Sequence, residues 1–284
     1  MRYLLAASLL WAFSFGLIKT RLAGVDPVAV SAARLLLAAV IFLPFLIRAP
    51  RDRRAAAAAL GLGALQFGLM YMLYIASFAW LPAWLVALFT VFTPLYVALG
   101  LDLLDRRFQP RNLGAVLLAV AGAGVVVWRG LPEGADWRGI GLLQGANLCF
   151  AAGQIIYVRS GLWHRWSDSG RLAWMYVGAA LVSVAVLTVQ GRPGLAGWTA
   201  SALWSVLYLG LVPTALGFYL WNKGAARTSG GRLAVANNLK IPLAVLVSWL
   251  VFRETADPVR VLAGLSLVTA GLYAAGRPLR QNRS

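Results

Sequence analysis

The feature that most constrains this chain is a train of apolar runs, each about 20 residues long, separated only by short polar connections. A helix of that length crosses the roughly 30 Å hydrocarbon core of a bilayer. Ten such runs can be read: Tyr3–Lys19, Pro27–Ile47, Ala55–Phe78, Ala83–Leu104, Leu113–Trp128, Ile140–Val158, Leu172–Val189, Ala202–Ala226, Leu233–Phe252 and Val259–Ala275. They use most of the 284 residues and leave no connection long enough for a soluble domain. Composition agrees: the chain is 61% hydrophobic and 12% charged, with mean hydropathy +0.75. Soluble domains run at about 45–50% apolar and about 25% charged. The expectation is an all-α integral membrane protein with ten transmembrane helices.

The first run begins Met-Arg, as a signal peptide could, but its apolar stretch exceeds the usual 7–15-residue core of one, so it is expected to stay. The net charge of +17 comes from 26 Lys and Arg against 9 Asp and Glu. In a soluble domain that excess would suggest nucleic acid. Here the basic residues form short clusters between apolar runs: Arg51, Arg53, Arg54; Arg106, Arg107, Arg111; Arg277, Arg280, Arg283. Positive charge collects in cytoplasmic loops. Placing both termini in the cytoplasm puts well over half of the 26 basic residues inside, an alternation that a miscount of one span would scramble. The expected location is the cell inner membrane, in contact with lipid and not with nucleic acid.

Several chemistries are excluded. Cys149 is the only cysteine and His164 the only histidine, so an intrachain disulfide, a Cys/His metal site and a Cys/His nucleophile pair cannot be assembled. No Gly-x-x-x-x-Gly-Lys-Ser/Thr loop is present to cradle ATP phosphates. No catalytic pairing stands out, and neither an enzyme nor a cofactor is expected.

The halves of the chain resemble each other. Leu4-Leu5 through Ile18 and Arg21 match Leu142-Leu143 through Ile156 and Arg159; Leu62-Gly63 matches Leu209-Gly210. Thr93-Pro94-Leu95 matches Ile241-Pro242-Leu243, Asp105 matches Glu254, and Ala121-Gly122 matches Ala270-Gly271. Five spans per half is odd, so the second copy must enter the membrane from the opposite side. The expected architecture is two inverted five-helix repeats, residues 1–129 and 139–276. In that plan the substrate site lies near the midplane between halves, and alternating access is a rocking of one half on the other.

The first copy carries Leu10-Trp11-Ala12-Phe13-Ser14-Phe15, Pro27 with Arg34, Pro94, Asp105, and Gly114 to Gly122. The second carries Tyr208-Leu209-Gly210, Trp221-Asn222-Lys223, Pro242, Phe252-Arg253-Glu254, and Gly264 to Gly271. In these motifs and their order the chain resembles the drug/metabolite transporter superfamily, specifically proteins with two EamA repeats. Two features depart from it: Asp105 stands where the family usually has Glu, and a polar run, Asn237-Asn238-Leu239-Lys240, precedes the second proline. The resemblance implies export of small metabolites, such as amino acids, amines or related carboxylates.

Polar groups within spans are expensive unless they face protein or water, which makes them candidates for function. Lys240 leads. It stands eight residues, roughly 12 Å, past Arg232 along its span, and could meet a substrate carboxylate or pair with carbonyls at the Pro242 kink. Asn237 shares its face and Asn238 lies near the edge. Further cavity candidates are Gln66, Tyr71, Tyr74, Asn147 and Gln154, then Trp11, Ser14, Phe15 and Tyr219. Arg34 is expected to hold helix-end carbonyls or reach the outer interface. Pro94 and Pro242 each remove a backbone donor and are read as paired kinks. Gly114, Ala119, Gly122 and Gly124 permit close helix packing, within the chain or in a homodimer. No acid lies at mid-depth, so coupling to protons through a dedicated carboxylate is not expected. The alternatives to a metabolite exporter are broader efflux of drugs or lipophilic cations, which Lys240 would repel, and a non-carrier membrane subunit.

Overall fold

The computed structural model describes residues 1–22, 24–47, 52–77, 79–81, 83–128, 136–161, 165–191, 198–251 and 257–275. No strand occurs among them. The helices are α1 (Arg2–Arg21), α2 (Pro27–Phe42), α3 (Arg53–Gly63), α4 (Met70–Ser77), α5 (Ala83–Thr90), α6 (Thr93–Leu104) and α7 (Pro110–Val127). They continue with α8 (Trp137–Arg159), α9 (Asp168–Gln190), α10 (Ala200–Leu209), α11 (Gly217–Ala225), α12 (Gly230–Ala236), α13 (Lys240–Leu250) and α14 (Pro258–Ala274). Wide π-helical turns, Ala64–Leu69 and Gly210–Leu216, join α3 to α4 and α10 to α11.

Seven of the described segments are long and apolar enough to cross a bilayer: Val28–Phe45, Arg53–Ser77, Leu85–Leu104, Pro110–Val127, Trp137–Arg159, Asp168–Gln190 and Ala200–Ala225. That is fewer than the ten expected. Two differences have plain causes: α14 has only 17 residues, and a break at Asn237–Leu239 separates α12 from α13. These shorter helices do not stand apart. α14 packs along α7, and α13 along α1.

Acids start the helices. Asp26, Asp52, Asp136 and Asp257 each accept a backbone N–H of the following first turn, from Val28, Ala55, Arg138 and Val259 respectively. Such caps satisfy donors that the helix leaves unpaired and are worth about 1 kcal/mol each. Asp102 instead holds the α6–α7 connection, accepting from the backbone and side-chain nitrogens of Gln109. Asp105 pairs with Arg159, and Asp168 with Arg227 at 3.1 Å.

Helix pairs approach through glycine, and the approaches recur in reciprocal form. A Cβ on Gly122 would lie 2.8 Å from the Gly264 carbonyl oxygen, and one on Gly271 would lie 2.6 Å from that of Ala115. Gly122 and Gly271 are 149 positions apart, as are Ala115 and Gly264. The helix ends repeat the pattern. Arg111 Nε donates to Ala274 O at the end of α14, and Arg260 Nε donates to Val125 O near the end of α7, both at 2.8 Å. Arg111 and Arg260 are again 149 positions apart. A second close crossing joins α3 and α9, where Gly63 faces the Met175 backbone and Gly178 faces the Leu60 carbonyl. Of the four small residues expected to pack, Gly122 meets α14 and Ala119 is buried, whereas a Cβ on Gly114 or Gly124 would meet nothing within 4 Å.

Gly271→Ala should therefore force α7 and α14 apart and cost on the order of 1–3 kcal/mol of stability. Gly124→Ala should be neutral or slightly stabilising through helix propensity. Thermal unfolding of the two variants in detergent checks the contrast.

Candidate functional site

Of the segments that depart from regular α-helical hydrogen bonding, three gather most of the polar side chains. Between α5 and α6 the chain breaks at Val91-Phe92, just before Pro94, whose missing N–H cannot serve the carbonyl four residues back. Thr93 Oγ1 donates to Thr90 O at 2.9 Å in its stead. Phe89 O accepts from Gln144 and Asn147 of α8, and Val91 O accepts from Asn238 Nδ2 at 2.9 Å. Asn238 stands in the second break, between α12 and α13, so the two breaks are bonded to each other. Asn237 beside it forms a reciprocal amide pair with Gln154 of α8, at 3.0 and 3.1 Å.

The third segment is the π turn Gly210–Leu216, which contains Pro213. Leu209 O, four residues before that proline, accepts from Thr214 Oγ1 at 2.8 Å. Pro213 O accepts from Trp11 Nε1 at 2.8 Å, and Thr214 O from the Tyr176 hydroxyl at 2.8 Å.

Around this turn lies a cluster of rings. Phe218 is at its centre, with centroids 4.5 Å from Phe67, 5.2 Å from Trp11, 6.2 Å from Phe150 and 6.3 Å from Tyr71. Trp221 lies between Trp11, at 4.9 Å, and Phe150, at 6.4 Å. A cation stands at each side. The Lys240 ammonium sits 5.5 Å from the Trp11 ring centroid and 5.6 Å from that of Phe150. It is half-buried and has no hydrogen bond or ion pair among the described residues. Arg34 is 6% exposed; its Nε donates to Thr214 Oγ1 at 3.1 Å and its Nη2 to the Tyr71 hydroxyl at 3.0 Å, with the Tyr71 ring also beneath the guanidinium. The expectation that Arg34 holds carbonyls or reaches the interface therefore needs correcting. It bonds hydroxyls inside the bundle and has no carboxylate partner among the described residues.

The other expected site residues divide. Trp11, Tyr71 and Lys240 are part of the cluster, and Gln66 packs beside it, its side chain lying over Gly153 of α8 and its Nε2 reaching Asn222 Oδ1 at 3.4 Å. Asn147, Gln154, Asn237 and Asn238 are buried and committed to the breaks. Ser14 Oγ donates to Leu10 O within its own helix. Tyr74 packs against Leu81, Leu85, Val86 and Leu143. Tyr219 accepts from Lys223 Nζ at 3.0 Å. The side chain of Phe15, along with Glu254 and His164, lies outside the described residues. The sequence reading missed Phe67, Phe150, Phe218, Trp221 and Thr214 as cluster members. Trp221 was visible only inside the Trp221-Asn222-Lys223 motif, and the three phenylalanines carried no signal that sets them apart from core residues.

The family model described as the EamA-like transporter family matches this chain twice, over residues 1–128 and 137–276. The chain belongs to the EamA-like transporter family. It is therefore a multi-pass membrane transporter of small molecules and not an enzyme. A protein of Pseudomonas aeruginosa named "Probable biotin transporter" is 40% identical over 279 residues, 96% of either chain. A "Biotin transporter" of Salmonella typhimurium is 33% identical over 96% of this chain and 92% of its own. A "Probable amino-acid metabolite efflux pump" of the same organism is 26% identical over 93% of this chain and 90% of its own. A solved crystal structure superimposes with a TM-score of 0.80 over 96% of this transporter and 95% of that chain, at 18% identity, and so shares its fold.

In this EamA-like transporter the Gln154–Asn237 pair joins α8 to the second break. Asn237→Leu should leave a buried glutamine amide unpaired and cost on the order of 1–3 kcal/mol. Replacing both partners by Leu should restore much of that loss. A double-mutant cycle on thermal unfolding in detergent measures the coupling.

Proposed function

We propose that this chain is a secondary transporter for a small carboxylate, with Lys240 as the carboxylate's partner, and that biotin is the substrate to test first. One observation carries this reading: Lys240 is a half-buried cation seated over Trp11 and Phe150, with no anion or hydrogen-bond acceptor of its own among the described residues. An unpaired charge in a membrane interior is costly, and such residues mark ion and substrate pathways. Arg34 adds a second cation to the same cluster, over the Tyr71 ring. Two cations disfavour cationic drugs, because like charges repel. The choice of biotin is supported by the names of the relatives at 40% and 33% identity. Amino-acid metabolites are the second reading, supported by the relative at 26%.

The same proposal includes ten spans arranged as two inverted repeats, set in the inner membrane with both termini cytoplasmic, and working by alternating access. The reciprocal contacts 149 positions apart between α7 and α14 support the inversion. Net export is the direction that the family resemblance implies. Asp26, Asp52, Asp102, Asp105, Asp136, Asp168 and Asp257 are all engaged at helix ends, which leaves no carboxylate at mid-depth among the described residues to relay protons. Substrate gradients and exchange then drive transport.

Counterflow in proteoliposomes tests the reading. Vesicles preloaded with biotin should accumulate labelled biotin through the wild type with or without a pH gradient. Lys240→Met should raise the half-saturating concentration about tenfold or more, the loss of one charge-assisted contact. Exchange of amino acids without biotin would move the assignment to the second reading, and exchange of neither would sink the carboxylate carrier.

A further inference from the structure

Besides Asn238 Oδ1 in the second break, two polar atoms on residues beside the ring cluster are unpaired among the described residues, and they are of opposite kinds. Trp221 is fully buried and its Nε1–H has no acceptor among the described residues. Gln66 is fully buried and its Oε1 has no donor among them. A buried polar group left without a partner costs on the order of 1–3 kcal/mol, so two in one neighbourhood need an explanation. The neighbouring Trp11 shows that the bundle can supply one: its Nε1–H is satisfied by Pro213 O.

The two residues share neighbours. Trp221 lies between Trp11 and Phe150, the two rings that carry the Lys240 ammonium. Gln66 lies against Gly153, one helical turn from Phe150, at a distance where a Cβ on Gly153 would strike its side chain at 2.4 Å. Its amide nitrogen reaches Asn222, the residue after Trp221. Gly153 thus makes room for Gln66, and Asn222 fixes the amide by its N–H₂ end, leaving the oxygen as the free end.

We propose that Trp221 Nε1–H and Gln66 Oε1 form a donor–acceptor pair that reads a urea or amide group on the substrate whose carboxylate meets Lys240. The substrate's carbonyl oxygen would accept from Trp221, and its N–H would donate to Gln66. An acid carrying a cyclic urea satisfies all three unpaired groups, and its ring stacks on the surrounding aromatic faces. A simple fatty acid or an amine satisfies one group or none. The rings are in contact in this structure, so the substrate enters by parting them, and its three contacts favour the parted state. This inference rests on the carboxylate reading of Lys240 and adds to it what recognises the far end of the molecule.

Competition against labelled biotin in proteoliposomes tests it. The competitors are desthiobiotin, an acid that keeps the urea, and lipoate, an acid on a dithiolane ring without one. The wild type should prefer desthiobiotin by about tenfold or more, the worth of one or two buried hydrogen bonds. Trp221→Phe keeps a ring between Trp11 and Phe150 but removes the donor; Gln66→Leu removes the acceptor. In each the preference should shrink several-fold towards unity, while Lys240→Met weakens both acids alike and preserves it. A role in packing alone would weaken both competitors together. No preference in the wild type, or a preference unchanged in both variants, overturns the inference and leaves the carboxylate reading standing. Failure of the wild type to exchange biotin at all overturns that reading as well.

Discussion

A carbonyl released from a helix inside a bilayer must find a donor, because no water is there to serve it. Much of this bundle follows from that requirement. Pro94 and Pro213 each disrupt a rod, and the chain breaks again at Asn237–Leu239. Carbonyl oxygens in and beside these breaks, of Phe89, Val91, Pro213 and Thr214, accept from Asn147, Asn238, Trp11 and Tyr176. Each donor comes from a different helix or break, so the bonds that repair the backbone also tie the rods together. They fix where α1, α8, α9 and the second break lie relative to the π turn. The aromatic cluster and Lys240 are positioned as a result.

Charge is divided along the same axis. The acids of the described residues stand at helix ends, where they cap first turns, hold the α6–α7 connection or pair with arginine. Arg111 and Arg260 likewise close helix ends, bonding the last carbonyls of α14 and α7. These placements favour the helix dipoles and keep the formal charges near water. Lys240 and Arg34 are the exceptions, held over rings within the bundle. A ring face attracts a cation but cannot neutralise it. The interior therefore retains a positive potential that an anionic ligand would complete.

The apolar runs, the basic clusters, the paired prolines and the family motifs were legible in the sequence, because each is a local pattern tied to bilayer thickness or backbone chemistry. The candidate site was legible only in part. Lys240 and Gln66 were conspicuous as polar residues in apolar runs. Tyr71 and Tyr74, three residues apart, looked equivalent, yet Tyr71 faces Phe218 and Tyr74 faces Leu143. The difference of about 60° around the helix is enough to send long side chains to different neighbours. Arg34 looked structural because nothing in the sequence shows that the Pro213 turn brings Thr214 across to it. Phe150, Phe218 and Trp221 were hidden among many apolar aromatics, since periodicity says which face a ring occupies but not which rings converge from different helices.

The two repeats share a scaffold but not a chemistry. Aligning Pro94 with Pro242 sets Phe89-Thr90-Val91-Phe92 opposite Asn237-Asn238-Leu239-Lys240. The first break offers bare carbonyls and the second supplies amide donors, so Asn238 can close one break with the other. If both breaks were apolar, Val91 O would lose this donor; if both were polar, amides would compete for too few acceptors. The asymmetry also leaves one lysine where a symmetric pair would place two. One side of the ring cluster then carries Lys240 on Trp11 and Phe150, and the other carries Arg34 tied to Thr214 and Tyr71. Of these two cations Lys240 alone has no hydrogen bond or ion pair among the described residues, so the cluster presents one open charge.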